Sequence, residues 1–407
     1  MNLSKKLITQ TSHLPGQAGA TPLTLCKCRQ FITAKRWRQP GKWEALVNYY
    51  IYERVTTNMH DEVPIPIIDF NPPVYLCKRA NMPLTNIDGR LDKTFWESAD
   101  FTDCFKDIEG DSRPAPRFDT KAKMLWDDKN LYIGAILYGD EIWAHQTQHD
   151  SVIFRDNDFE IFIDPDSDTQ EYIEFEMNAL NTFWDLLLTK AYRDNGSPIN
   201  SLEIKGIKTA VYINGKLNDP QADNKYWSVE VIIPFESLAE CDIKRRPPVC
   251  GEYYRINFSR VQWKTTIKDN SFVKLENPDT GAPLPEDNWV WSPTGVINIH
   301  YPEMWGFLFF ADDNCNCSYS IPEDEYIKWD LRNLYYAEYI FYKNNHKFTN
   351  DINILKEILA KNSSFNSIKS IAKRNFIIET TSTGFEISTN GSKNDKTIRI
   401  YSDGKTV

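Results

Sequence analysis

Two stretches of alternating apolar and polar residues dominate the chain. In 158–164, DFEIFID, the residues Phe159, Ile161 and Ile163 fall on one side, and Asp158, Glu160, Phe162 and Asp164 on the other. In 171–178, EYIEFEMN, the residues Ile173, Phe175 and Met177 alternate with Tyr172, Glu174, Glu176 and Asn178. Period-two alternation of this length marks half-buried strands. The intervening DPDSDTQ is rich in turn formers. The pattern predicts an antiparallel hairpin within 150–185, with one apolar face and one carboxylate-rich face. Symmetric closure places Glu160 opposite Glu176, and like charges so placed cost a few tenths to about 1 kcal/mol. Such a face calls for a ligand with hydroxyls, a cation or a shared proton. The plainer alternative is a solvated outer face on which the carboxylates splay apart.

The same alternation recurs on both sides of this hairpin. Ala122, Met124 and Trp126, then Leu131, Ile133, Ala135 and Leu137, predict two strands joined by the turn Asp127-Asp128-Lys129-Asn130. Further strands are predicted in LEIKGIKTAVYING, in KYWSVEVIIP (Trp227, Val229, Val231 and Ile233 on one face), in YYRINFSRVQWK, in WVWSPTG and in MWGFLFF. Many short strands with regular turn signals predict a mostly β fold: a two-sheet antiparallel β-sandwich of jelly-roll or immunoglobulin-like type over 64–311. Pro72-Pro73 makes the lead-in extended. Residues 312–324 read as a linker. In 325–407 the helical stripe of Ile327, Leu331, Leu334, Tyr335, Ala337, Ile340 and Phe341, a second helical run and two Gly-turned strand segments predict a small α+β appendage. Residues 1–63 read as a basic, loosely ordered N-terminal extension, with Met59 an alternative start.

Composition narrows the function classes. The 407 residues carry a net charge of -10, which argues against nucleic acid as a partner. No run of about 18 apolar residues predicts a membrane span. Lys5 and Lys6 are followed by no apolar core of a signal peptide. Eight cysteines, at 26, 28, 77, 104, 241, 250, 315 and 317, lack zinc spacing and read as structural or incidental. The aromatic count is high, with 12 Trp, 20 Tyr and 22 Phe, which supports a β reading and supplies flat rings for a ligand.

The phrases IDGRLDKTFW, AKMLWDDKNLYIGAIL, DNDFEIFIDPD, EYIEFEMNALNTFWD, WSVEVIIPFESL, YYRINFSR, and WSPTG followed by PEMWGF occur in this order across 75–311. In combination they resemble carbohydrate-binding module family 9. The resemblance implies a non-catalytic β-sandwich that binds polysaccharide ends such as those of xylan and cellulose. It also implies association with glycoside hydrolases, bound calcium, and a secreted, periplasmic or cell-surface location. In that pattern a sugar ring lies between aromatic side chains while polar groups bond its hydroxyls. Glu160 and Asn178 match two of those polar positions. Glu176 stands where the pattern has Arg, and Phe154 where it has a sandwiching Trp. The second sandwiching Trp falls near Ile299-His300.

The candidate carbohydrate site is therefore Phe154, Asp158, Glu160, Glu176 and Asn178, with His300 joining from a late loop. Trp143, Trp184, Trp289 and Trp305 are either sugar platforms or core packing. The Asp164-Asp166-Asp168 turn lacks the Gly and Glu of a calcium loop and reads as a plain hairpin turn. No cofactor is required, structural calcium being the single candidate. Two other function classes stay open: a glycoside hydrolase acting through Glu160 and Glu176, or a sandwich scaffold for protein–protein contacts.

Overall fold

The computed structural model describes residues 63–313, 316–361, 368–393 and 396–407. The predicted N-terminal extension lies outside the described residues, apart from Val63. Fifteen strands precede the C-terminal helices. They are β1 (Val74–Arg79), β2 (Lys106–Asp107), β3 (Thr120–Trp126), β4 (Asn130–Tyr138), β5 (Asp158–Asp164), β6 (Gln170–Asn178), β7 (Phe183–Lys190), β8 (Pro198–Ile199), β9 (Lys208–Asn214), β10 (Tyr226–Pro234), β11 (Tyr253–Gln262), β12 (Thr265–Lys268), β13 (Ser271–Lys274), β14 (Asp287–Val290) and β15 (Gly306–Ala311).

Thirteen of these join one sheet in the order β8-β7-β6-β5-β11-β15-β1-β3-β4-β10-β9, with β14 beside β11 and β2 beside β14. The alternating apolar residues explain its shape. Met124, Ile133 and Val231 from one end share a core with Ile161, Phe175, Phe258 and Phe310 from the other. The sheet therefore curls around a single core. Hydrogen bonding runs unbroken through β15, β1 and β3, so the strands form one curled sheet rather than two separate ones. β1 pairs parallel to both neighbours, against the all-antiparallel expectation. Alternation does not encode strand direction. The long segments joining β1 to its neighbours supply the crossover that parallel pairing requires.

The Asp88-Gly89 turn shows why the IDGRLDKTFW phrase reads as it does. The backbone N–H groups of both residues donate to the buried Glu230 carboxylate, 2.9 Å each, as does Trp96 Nε1 at 2.8 Å. Gly89 has φ +81°, and a Cβ there would lie 2.2 Å from the Tyr212 nitrogen. Only glycine fits that position without a backbone shift.

Three helices follow: α1 (Glu323–Asn345), α2 (Ile352–Lys361) and α3 (Ile368–Ile371), then the antiparallel trio β16 (Ile377–Thr380), β17 (Phe385–Asn390) and β18 (Thr397–Tyr401). The α1 stripe buries Ile327, Leu331, Leu334 and Tyr335 against Leu355, Phe385, Ile387 and Ile400, and the same cluster includes Val296, Tyr301 and Met304. No described helix is long and apolar enough to cross a membrane.

The α1 helix docks through charge as well as apolar area. Glu325 accepts hydrogen bonds from Ser167 Oγ (3.0 Å), Tyr253 Oη (3.0 Å) and Arg255 (3.2 Å). Glu303 takes Arg193 at 2.8 Å and Tyr336 Oη at 2.6 Å, and Arg332 lies 3.6 Å from it. These contacts cover the turn end of the β5–β6 hairpin.

Candidate functional site

The β5–β6 register places Glu160 opposite Glu176, Asp158 opposite Asn178 and Phe162 opposite Glu174. On one flank Ser259 of β11 pairs with Glu160, and on the other Trp184 of β7 pairs with Glu176. Four carboxyls thus share one face of two adjacent strands, β5 and β6. The carboxyls are sunk at the floor of that face rather than solvated: Asp158, Glu160, Glu174 and Glu176 are 0, 6, 6 and 1% exposed.

Burial and mutual repulsion govern the protonation of these groups. Burial, followed by Glu160, holds the Asp158 and Glu174 carboxyls well above the usual carboxylate range. Glu176 is pushed up by burial and then by Glu160, Glu174 and Asp158. Burial raises Glu160 to about 7, opposed by a hydrogen bond with Ser259 and reinforced by Glu286. A cluster of this kind can share protons, accept hydrogen bonds from sugar hydroxyls, or take up a cation.

The other predicted residues divide. Phe154 adjoins the carboxylates through its backbone, whose N–H donates to Glu176 Oε2 at 3.0 Å, while its ring is half-buried. Asn178 is committed to local structure. Its amide donates to Gln146 O and Asp156 Oδ2, and its Oδ1 accepts the N–H groups of Leu180 and Thr182. His300 sits further along the face, beside Phe162. Its Nδ1 lies 3.0 Å from Tyr172 Oη, and its ring packs edge-on against Tyr192 at 4.6 Å. Burial and then Arg193 push the His300 imidazole down to about 3, so it stays neutral at physiological pH.

Further residues join the site that the sequence reading did not nominate. Glu174 was on the predicted face but not among the candidates. Tyr192, half-buried, interacts electrostatically with Glu174 and Glu176. Trp263 donates its indole N–H to Phe154 O at 2.9 Å, and Lys274 Nζ stands 3.1 Å from the centre of its indole ring. Period two points to Trp263, because Ser259, Val261 and Trp263 continue one face of the β11 alternation. Tyr192 and Lys274 carry no such signal. Trp143, Trp184, Trp289 and Trp305 are all buried. Among the described residues the indole N–H of Trp184, opposite Glu176, has no hydrogen-bond partner, and neither does that of Trp143.

Three described groups have the spacing of a metal site, two of them all carboxylate and the third formed by His149, Asp185 and Glu203. Asp158, Glu160 and Glu176 bring ligand oxygens within 4.8 Å of one another, and Asp158 Oδ2 has no hydrogen-bond partner. That set fits a hard cation such as calcium. In the Asp164-Asp166-Asp168 turn, Asp164 is already bonded by the N–H groups of Ser167 and Thr169, Asp166 by that of Ile243, and Lys405 lies 2.8 Å from Asp168. A groove of about 520 Å³ between Asp103, Lys106, Asp111 and Trp291 includes none of the predicted site residues.

Comparison with known proteins finds a family model that spans this face. Residues 87–257 match the model described as carbohydrate family 9 binding domain-like. Among solved structures the chain is similar to a candidate carbohydrate-binding protein from Bacteroides uniformis, at 14% identity and TM-score 0.42 over 59% of this chain and 99% of that one. It is also similar to a family 9 carbohydrate-binding module from Caldicellulosiruptor kristjanssonii. The cellotriose complex of that module matches at 16% identity and TM-score 0.38, over 61% of this chain and 98% of that one. The glucose complex matches at 16% and 0.37, over 60% and 99%. No curated protein matches the chain. The matched residues, 87–257, run from ahead of β3 through β10 and into β11, and so include the whole carboxylate hairpin.

Proposed function

We propose that this chain is a non-catalytic carbohydrate-binding protein whose β5–β6–β7 face receives a poly- or oligosaccharide. The observation that carries the reading is the match of residues 87–257 to a carbohydrate-binding module, because that span contains both strands of the carboxylate hairpin. The chemistry agrees with it. Carboxylates accept hydrogen bonds from vicinal hydroxyls, and the rings of Phe154, Tyr192 and Trp263 suit sugar C–H faces. The free indole N–H of Trp184 supplies a donor.

Glu176 in the place of Arg makes the floor acidic. A neutral sugar is therefore favoured over a uronate. The protein would serve polysaccharide breakdown beside glycoside hydrolases, with xylan and cellulose ends as first candidates. A secreted, periplasmic or cell-surface location goes with that role.

Affinity electrophoresis against neutral and uronic polysaccharides tests this reading. Retardation by a neutral polymer that is lost in Glu160→Gln is the expected result. Uniform mobility across the whole panel overturns it. The Glu160–Glu176 register also raises the hydrolase reading. Glycosidases, however, set two carboxyls on either side of the scissile bond, whereas these lie side by side on one floor with Asp158. Release of reducing sugar that disappears in Glu160→Gln would decide for hydrolysis.

A further inference from the structure

We propose that His149, Asp185 and Glu203 bind a divalent transition-metal ion of the zinc class, on the side of β7 away from the carboxylate floor. One ligand atom of each lies within 4.8 Å of the other two. Along β7, Phe183 and Leu187 pack against the apolar core, and Asp185 between them points to the same side. Its strand partner is the core residue Phe175, whereas the partner of Trp184 is Glu176. Asp185 is fully buried there. Its Oδ2 accepts the Ile204 N–H at 2.6 Å, and its Oδ1 has no hydrogen-bond partner among the described residues. A buried carboxylate oxygen left in this way is costly unless a cation takes it up.

His149 supplies the nitrogen ligand. Its Nδ1 lies 3.0 Å from the Phe183 carbonyl oxygen, and its ring packs edge-on against the Phe183 ring at 4.6 Å. A carbonyl can only accept, so Nδ1 carries the proton and Nε2 presents its lone pair, the arrangement in which histidines bind metals. Nε2 faces Glu203 Oε1 at 3.4 Å, Asp150 Oδ1 at 3.5 Å and Asp185 Oδ1 at 3.9 Å. A protonated ring bonded to a carboxylate would stand closer, at about 2.7–2.9 Å. Ligands placed tetrahedrally at zinc distances of about 2.0–2.1 Å stand about 3.3 Å apart, nearer to the spacing seen. The imidazole sets this group apart from the all-carboxylate ones and favours zinc-class ions over calcium or magnesium. His149 and Glu203 are exposed, which gives the ion a path from solvent. The three ligands are complete without a glycan, so the site stands independently of sugar binding.

The test uses the full chain stripped with EDTA, then titrated with zinc by calorimetry and with cobalt(II) by visible absorption, which reports the ligand geometry. Zinc should bind saturably, displace cobalt, and raise the melting temperature of the wild-type protein. His149→Ala and Glu203→Gln should each weaken zinc binding by about 100-fold or more, the upper range for disturbing even an outer-shell partner of a metal ligand. Asp185→Asn should do the same. His346→Asn, which alters an exposed histidine just after α1, should leave binding unchanged. The inference is overturned if wild type binds no zinc, or if His149→Ala or Glu203→Gln binds it as tightly as wild type. It is equally overturned if His346→Asn abolishes binding, or if an equal concentration of calcium displaces the zinc. Because His149 and Glu203 are exposed, their variants keep the outcome decisive should Asp185→Asn fail to fold.

Discussion

Glu160 sits where four carboxyls and a ligand face compete for the same few ångströms, and its protonation follows from that position. Its carboxyl titrates near 7 in the fold against an ordinary 4.5. For a group raised in this way, the stabilising contribution is full below 4.5 and is lost as pH rises through about 7. Melting temperature should therefore fall between about pH 4.5 and pH 7, and Glu160→Gln should flatten that fall. The same substitution should weaken glycan binding by about tenfold or more, the worth of one charge-assisted hydrogen bond of roughly 1.5–3 kcal/mol. Asn178 has a different fate. Its amide closes the turn after β6 with four hydrogen bonds. Asn178→Ala should cost about 1–3 kcal/mol for each buried group left unpaired, seen as a lower denaturation midpoint.

The contrast between these two residues shows what the sequence can carry at this scale. Alternation put Glu160 and Glu176 on one face, since a one-residue slip would turn Phe159 and Ile161 outward, and symmetric closure about the turn brought them opposite or nearly opposite. The hydrogen bonds of Asn178 depend on where Gln146 and Asp156 return in space, and no local pattern reports that. Burial of the carboxyls was hidden for the same reason: Tyr192, Trp263, Lys274 and His300, which gather around them, are far apart in the chain.

Among the elements, most strands were legible from period two. β7 was missed, because FWDLLLTK runs apolar through its centre and blurs the alternation, and so were β2, β8, β12 and β13, each four residues or fewer. The reach of α1 was only half legible. Its apolar stripe predicted one packed face, yet Asp330, Arg332, Asn333 and Glu338 on other faces are buried as well. Buried ion pairs account for part of this. Arg193 and then Arg332 outweigh burial and hold the Glu303 carboxyl down at about 2, with Tyr336 adding a hydrogen bond. A carboxyl depressed in this way stabilises above its ordinary 4.5, and that contribution is lost as pH falls towards 2. Glu303→Gln should lower stability at neutral pH by about 3–5 kcal/mol, because it leaves buried arginine charge uncompensated. It should also flatten the acid limb of the pH–stability profile measured by urea unfolding.

At the scale of the molecule, the segment after residue 323 completes the module's outer surface. It covers Val296, Tyr301 and Met304 and neutralises Arg255 through Glu325. A chain ended after Ala311 should expose that apolar cluster and leave a buried guanidinium unpaired. The expected outcome is aggregation or loss of cooperative unfolding, checked by size-exclusion chromatography and thermal denaturation. Recovery of a soluble, cooperatively folding fragment would refute this. The composite phrases of the module were legible because each encodes a local turn or strand, as Gly89 does by lying against Val211 and Tyr212. The curl into one sheet was not, since it depends on β1 entering between β15 and β3.

The claim that the β5–β6–β7 face binds a glycan is tested most directly by calorimetric titration of the full chain with the oligosaccharide that retards it in gels. Saturable binding to wild type that Glu160→Gln weakens by about tenfold or more, in a variant that still unfolds cooperatively, is the expected result. Binding of equal strength by wild type and Glu160→Gln would contradict it.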